Sequence, residues 1–262
     1  MKKLLGLIAA AAVVLTAGSA LADSHTVRIG TEGAYPPFNY IDDNGELKGF
    51  DVDIANALCE AAGFECEFVV QDWDGIIPGL IAEKYDAIIA SMSITEKRME
   101  VVDFTDKYYN TPAKFVANKG MELDFTAEGL AGKVIGVQGS TIHEDFARAT
   151  FTESEIVTYA TQDEPNADLV SGRVDLVLAD SVALDEGFIA TDAGACCEFV
   201  GPDYTDPSFF GVGAGIAVRK GEAELLDALN AALDQILRDG TYKAINDKYF
   251  DYNVYGEPLP TS

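Results

Sequence analysis

Residues 86–98 read DAIIASMSITEKR. An apolar run from Ala87 to Ala90 gives way to Ser91, Ser93 and Thr95, and then to Arg98. Spaced hydroxyls followed by one arginine can hold a carboxylate. The hydroxyls donate single hydrogen bonds, and the guanidinium offers a planar fork for two parallel ones. Ser91 and Ser93 are two residues apart, so on an extended segment they face the same side. TEKRMEVV reads as a short helix with Thr95 near its start, where free backbone N–H groups and a partial positive charge suit an anion. GVQGSTIHEDF supplies a second strand-to-helix junction, with Thr141 and His143 at the helix start. RVDLVLADSV then repeats the order of KYDAIIASMS: a basic residue, one further residue, Asp, four apolar residues, then polar groups. Asp180 and Ser181 therefore stand at a strand end matching that of Ser91 and Ser93. Asp180 offers a negative partner for an ammonium group. The plainer alternative for Arg98 is a surface helix residue paired with Glu96 or Glu100.

Strands alternating with helices must position these groups. TVRIGTE, ECEFVV and YDAIIAS read as strands, with the helical patterns GFDVDIANALCEAAG and DGIIPGLIAEK between them. After Thr111-Pro112 the alternation restarts. AKFVA, KVIGVQ, EIVTYA and VDLVLA are strands; STIHEDFARAT, EPNADLVSGR and SVALDEGFIA are helices. GAGIAVRK is a further strand, and AELLDALNAALDQILRDG a closing helix. Such alternation implies an α/β fold, with helices covering parallel or mixed sheets. Two alternating runs imply two lobes, the final strand and helices returning to the first. Ligands of α/β sheets sit at the carboxyl ends of the strands, so the polar strand ends should face a shared crevice.

Charge narrows the partners. Lys+Arg is 18 against 44 for Asp+Glu, a formal net charge of −26. That excludes a nucleic-acid footprint, which is positive, and disfavours an anionic bilayer. Such a field attracts a cationic ligand, or it merely solvates the surface. MKKLLGLIAAAAVVLTAGSALA reads as a cleaved secretory signal over residues 1–22: two lysines, an apolar core over 4–15, and a small-x-small site before Asp23. Its removal would take Lys2 and Lys3 and bring the charge to −28. No cysteine follows the cleavage site, so no lipid anchor is indicated, and a soluble exported protein is expected.

Export permits disulfides. Cys59, Cys66, Cys196 and Cys197 allow three pairings. Cys59 lies on a helix expected to end near Gly63, and Cys66 opens the next strand, so a short turn can bring these two within bridging range. Cys59–Cys66 is the expected bridge; Cys196 and Cys197 stay open. No cysteine has zinc-site spacing, and there are only two histidines, so no metal or other cofactor is expected.

Five stretches carry a family resemblance: IGTEGAYPPFNY, GELKGFDVDIANALCEAAGFEC, QDWDGIIPGLIAEKYDAIIASMSITEKR, VDFTDKYYNTPAKFVA and FFGVGAGIAVRKG. The chain resembles the periplasmic polar amino-acid-binding proteins of ABC importers over nearly all of its mature length. The nearest branch is the lysine/arginine/ornithine- and histidine-binding group. The resemblance implies a monomeric two-lobed protein that closes on one cationic L-amino acid and delivers it to a membrane permease with its ATPase subunits. It implies a first lobe over 23–110, a second over 111–209 and a return over 210–262, with crossings near 110–114 and 206–213. Motif by motif, the α-carboxylate would meet Arg98, the Ser93 backbone and Thr141, and the α-ammonium would meet Ser91 and Asp180. The ligand side chain would lie between Tyr35 and Trp73, with its cationic end toward Glu32.

The residues agree with this from below. Trp73, flanked by Asp72 and Asp74, is poorly placed for core packing, and its face can stack on a guanidinium for roughly 0.5–2 kcal/mol. Tyr35 precedes Pro36-Pro37, a rigid segment that fixes a strand exit. Glu32 ends the first strand at the ligand edge. Where relatives often carry a serine or another small residue, Ala90 stands, with one hydrogen bond fewer. His143 either tunes specificity or faces solvent. Two other classes remain. A cyclohexadienyl dehydratase shares the implied fold, but no nucleophile–base pair is visible, so an enzyme is not expected. A ligand sensor would need a separate membrane partner.

Overall fold

The computed structural model describes residues 25–260, so the leader read from residues 1–22 lies outside them. β1 (His25–Thr31) opens the first lobe. A small antiparallel ribbon follows: β2 (Ala34–Tyr35), β3 (Asn39–Ile41) and β4 (Leu47–Lys48). Its turn closes on Asp42 Oδ1, which accepts the Asn44 and Glu46 amides. α1 (Phe50–Ala62) buries Phe50, Val52, Ile54, Ala55 and Leu58, the apolar face its spacing predicts, and ends at left-handed Gly63. Its entry requires Gly49, with φ 124°: a Cβ there would lie 2.1 Å from the Phe38 carbonyl oxygen. Then come β5 (Phe64–Val70), a 3-10 turn over Trp73–Gly75, α2 (Ile76–Ile81), β6 (Ala87–Ile88), α3 (Glu96–Met99) and β7 (Val102–Phe104).

The chain next enters a second sheet through β8 (Ala113–Asn118), β9 (Val134–Gln138), α4 (Ile142–Thr150), β10 (Glu155–Tyr159), α5 (Asp163–Val170) and β11 (Leu176–Asp180). α6 (Ser181–Leu184) widens into a π-helical turn over Asp185–Ile189 before β12 (Cys197–Tyr204) and α7 (Pro207–Phe210). It returns as β13 (Ala217–Arg219), α8 (Ala223–Asp239) and α9 (Thr241–Tyr249).

The strand orders are β5-β1-β6-β13-β7 and β10-β9-β11-β8-β12. Each sheet is mixed. β1 runs parallel to β5 and β6, and β9 to β10 and β11; β13 and β8 run antiparallel to both of their neighbours. Each sheet carries apolar clusters on two faces. In the first lobe α1, α8 and α9 cover one face and α2 the other. The repeated basic-x-Asp pattern has a structural meaning. Asp86 accepts the Arg28 amide of β1 at 3.0 Å, and Asp175 accepts the Val134 amide of β9 at 2.9 Å. In both lobes this carboxylate pins the start of a central strand, and so fixes where its other end emerges.

Two expectations change. YDAIIAS forms a ladder only at Ala87–Ile88. Ser91 is not extended but left-handed, with φ 54°, so the pleat does not explain its direction. The β2–β4 ribbon, β7, β12 and α7 are additional to the elements expected from the sequence. Gly240, with φ 91°, separates α8 from α9.

Cys59 and Cys66 are bridged across the Gly63 turn, with Cα atoms 6.1 Å apart. Cys196 and Cys197 bond each other where β12 begins. Replacing both Cys59 and Cys66 with Ala opens a loop of sequence separation 7. Chain entropy assigns such a short loop about 2–3 kcal/mol. For a chain of this size the melting temperature should fall by about 4–10 °C. Calorimetric scans of the oxidised wild type and the double variant test this. Equal melting temperatures would mean that packing alone holds the α1–β5 corner.

Candidate functional site

Glu32, Tyr35, Trp73, Ser91, Ser93, Arg98, Thr141, His143 and Asp180 line one cleft between the two lobes, of about 610 Å³ including its open mouth; Ser181, expected beside Asp180 at this crevice, starts α6 and does not line it. The lining residues come from strand ends and helix starts. Glu32 follows β1, Ser91 and Ser93 follow β6, Thr141 follows β9, and Asp180 ends β11.

Arg98 is set by the cap of α3, where Thr95 Oγ1 accepts the Arg98 amide at 3.3 Å. Its guanidinium donates to the Ser93 carbonyl at 3.0 Å and lies 5.3 Å from the Trp73 ring centroid. Among the described residues it forms no ion pair, so the pairing with Glu96 or Glu100 does not occur. Burial pushes its pKa down to about 10, which leaves it charged. The Trp73 ring thus lies against the protein's own cation while also lining the cleft. Its indole N–H donates across the cleft to the Ser140 carbonyl at 3.1 Å.

Thr141 caps α4. Its hydroxyl donates to the Gln138 carbonyl at 2.7 Å and accepts the Glu144 amide at 3.2 Å. With the hydroxyl so committed, Thr141 offers an anion the helix start itself: the Thr141 and Ile142 amides have no acceptor among the described residues. His143 is 9 % exposed and packs 6.0 Å from the Phe210 ring, so it does not face solvent. Burial, then the Arg98 charge, pushes its pKa down to about 3, and the imidazole is neutral.

Asp180 doubles as the cap of α6. Oδ1 accepts the Val182 and Ala183 amides at 2.8 and 3.2 Å, and Oδ2 accepts the Thr111 hydroxyl. Burial pushes its pKa up to about 6 in spite of these bonds. Ser91 Oγ donates at 3.0 Å to Asp51, which is fully buried and also accepts from Tyr108 at 2.8 Å and Asn39 at 2.9 Å. The Ser91 amide donates to the Tyr108 hydroxyl at 3.2 Å. These bonds, not strand pleating, turn Ser91 toward the cleft. Ser93 bridges to Ala214 beside it.

Glu32, 6 % exposed, accepts from Gln138 Nε2 at 2.5 Å. Burial pushes its pKa up to about 7; the Gln138 bond opposes this, and Asp163, Asp72 and Asp74 add to it. Tyr35 is buried and stacks on Phe38, with centroids 6.2 Å apart. The Pro36–Pro37 bond after it is cis. Tyr109, Asn110, Thr111, Gln138 and Phe210 also line the cleft and were not singled out in the sequence. Gln138 carried a usable signal, since it ends a strand as Asp180 does. The others sit beside the crossings, which residue types alone do not mark.

Residues 27–252 match the bacterial extracellular solute-binding proteins, family 3. The chain belongs to this family. This solute-binding protein is 51% identical over 258 residues to the L-arginine-binding protein of Pseudomonas aeruginosa, covering 98% of this chain and 99% of that one. It is 42% identical over 259 residues to the lysine/arginine/ornithine-binding periplasmic protein of Escherichia coli, with the same coverage of 98% and 99%. Among solved structures it resembles a Salmonella typhimurium periplasmic binding protein of high arginine specificity. The TM-score is 0.81 at 32% identity, over 87% of this chain and 100% of the other.

Glu32, Asp51 and Asp180 all have folded pKa values raised above their ordinary ones. A raised carboxyl binds protons in the folded state that the unfolded state lacks. Its stabilising contribution is therefore full below the unfolded pKa and is lost as pH rises through the folded one. Without ligand, stability should rise as pH falls from about 8 to about 5, and Glu32 alone should supply up to about 3 kcal/mol. Falling self-repulsion of the acidic surface acts in the same direction, so the decisive quantity is the difference from Glu32→Gln. Urea unfolding at both pH values should show a larger acid gain for wild type than for the variant. Equal gains would mean that Glu32 does not titrate near neutrality.

Proposed function

We propose that the cleft captures a cationic L-amino acid, with arginine the first candidate, in the periplasm, and that the protein delivers it to a membrane permease driven by ATPase subunits. The observation that carries this reading is Arg98: a half-buried guanidinium that lines the cleft and makes no ion pair among the described residues, with the unbonded amides at the start of α4 lining the same cleft. A buried charge needs a partner, and an α-carboxylate supplies one with matching bidentate geometry. Asp180 and Ser91 are the partners for the ammonium, and Glu32 for the side-chain cation. Tyr35 and His143 wall the cleft. The similarity to arginine- and lysine/arginine/ornithine-binding proteins supports the ligand class. Export through the leader at 1–22 and action as a monomer belong to the same proposal. A hydrolytic or eliminating enzyme finds less support, since among the described residues the cleft histidine makes no hydrogen bond to a hydroxyl or thiol that it could activate.

We place the hinge at 110–114 and 206–213, between segments that run in different sheets. Binding groups divide between the lobes, with Glu32 and Arg98 on one and Thr141 and Asp180 on the other. A ligand that touches both lobes favours the closed state by differential contact. Small-angle scattering should give a smaller radius of gyration at saturating arginine than without it. Superimposable profiles would exclude hinge closure.

The two ends of the ligand separate by mutation. Arg98→Ala should abolish binding of every α-amino acid, at a cost of roughly 2–5 kcal/mol. Glu32→Gln should weaken arginine and lysine by a similar order, while citrulline and glutamine hold or improve, because specificity is a difference of affinities. Titration calorimetry of wild type and both variants against these four ligands tests the assignment. Undiminished arginine affinity in Glu32→Gln would remove Glu32 as the counter-ion.

A further inference from the structure

Gln138 ends β9 on the lobe opposite Glu32 and is 3 % exposed. Its amide nitrogen donates to Glu32 Oε1 at 2.5 Å and to the Ala160 carbonyl at 3.2 Å. With Glu32 ionised, both partners can only accept. The amide orientation is thereby fixed, because turning it over would set its carbonyl oxygen against two other oxygens. Both N–H groups are used, which leaves Gln138 Oε1 without a donor among the described residues. Glu32 Oε2 is likewise without one. Neither atom is among the buried polar atoms that lack a partner, and both side chains line the cleft, so both oxygens open into it.

We propose that Gln138 is a specificity-determining residue: with Glu32 it forms a two-acceptor edge, one acceptor from each lobe, that selects a side-chain guanidinium over an ammonium. The proposal rests on the cationic-ligand reading and sharpens it. A guanidinium presents rigid, coplanar N–H groups, two of which leave one edge side by side, so that one can meet a Glu32 oxygen and the other the Gln138 carbonyl. The lysine ammonium is a compact, strongly hydrated charge that answers Glu32 by Coulomb attraction and gains less from a second, neutral acceptor. A neutral ureido or amide group leaves the Glu32 charge unpaired. Because Glu32 and Gln138 belong to different lobes, the edge exists only when the lobes meet. The ligand's side chain is therefore read at closure, after its carboxylate has been caught by Arg98.

Gln138 also opposes the rise in the Glu32 pKa. The other groups acting on Glu32 are Asp72 and Asp74 after β5, Asp163 at the start of α5, and Tyr35 of the ribbon. All three carboxylates push its pKa up. Without Gln138, Glu32 should hold its proton to higher pH, and the affinity of a cation should fade at higher pH.

The test is titration calorimetry of wild type, Gln138→Met and Gln138→Asn with arginine and lysine at about pH 8, and with arginine down to about pH 6. Asn keeps an amide near Ala160 but is one methylene too short to span to Glu32. Wild type should bind arginine about tenfold or more tighter than lysine. Either variant should weaken arginine by about 10–100-fold and lysine much less, and should move the pH midpoint of arginine affinity upward. A purely structural role would weaken both ligands equally and leave the midpoint in place. Wild-type ratios in either variant that folds, with an unmoved midpoint, would overturn the proposal; so would equal wild-type affinities for arginine and lysine, even if neither variant folds. A wild type that binds neither ligand would instead overturn the ligand reading on which the proposal stands.

Discussion

A half-buried guanidinium with no ion pair among the described residues is the constraint on which the cleft depends. Arg98 is held by a helix cap, one backbone carbonyl and the face of Trp73. These satisfy some of its N–H groups but not its charge. Withdrawing an ion from water without a paired charge costs free energy, and that cost would be relieved by an anion entering the cleft. The cleft contains carboxylates that could have cancelled the charge, but each is tied down elsewhere. Asp180 is bound to the start of α6 and to Thr111, and Glu32 is bound to Gln138. The cleft therefore presents separated positive and negative groups rather than a mutually cancelled pair.

That pattern needs rigid support. Asp51 supplies it under the floor of the first lobe by joining Asn39 of the ribbon, Ser91 after β6 and Tyr108 near the first crossing. Each partner donates to the same carboxylate, and burial still raises its pKa to about 6. One acid thus positions a site residue without touching the cleft itself. It also explains the left-handed backbone at Ser91, a strained conformation for a side-chain-bearing residue that persists where its surroundings over-determine it.

The lobes meet through polar contacts in and around the cleft and through Val182 and Ala183 of α6, which pack into the first lobe's apolar cluster. Glu32–Gln138 and Trp73–Ser140 line the cleft, and Lys97–Asp145 lies exposed at its rim, where an ion pair contributes little. Gly187 lets the second lobe approach the first at Pro36, since a Cβ there would lie 2.6 Å from the Pro36 carbonyl oxygen.

Much of this was legible in the chain. Alternating apolar runs fixed the strand–helix order, because buried sheets and covering helices impose their own periods on a sequence. The polar residues closing those runs named Glu32, Ser93, Arg98, Thr141 and Asp180, because strand ends and helix starts in α/β folds point toward one edge. The Cys59–Cys66 bridge followed from the short turn at Gly63. Ser91 was named for a reason the structure replaces, since its direction comes from hydrogen bonds to residues 40 and 17 positions away in sequence. The Trp73–Arg98 stack, the neutral His143, the role of Asp51 and the Glu32–Gln138 contact were not legible. The residue types that can occupy a cleft are local properties, set by where a strand stops and a helix starts. Which charges end up paired, and which protons they keep, depends on distances and burial between segments far apart in the chain, and only the tertiary structure sets those.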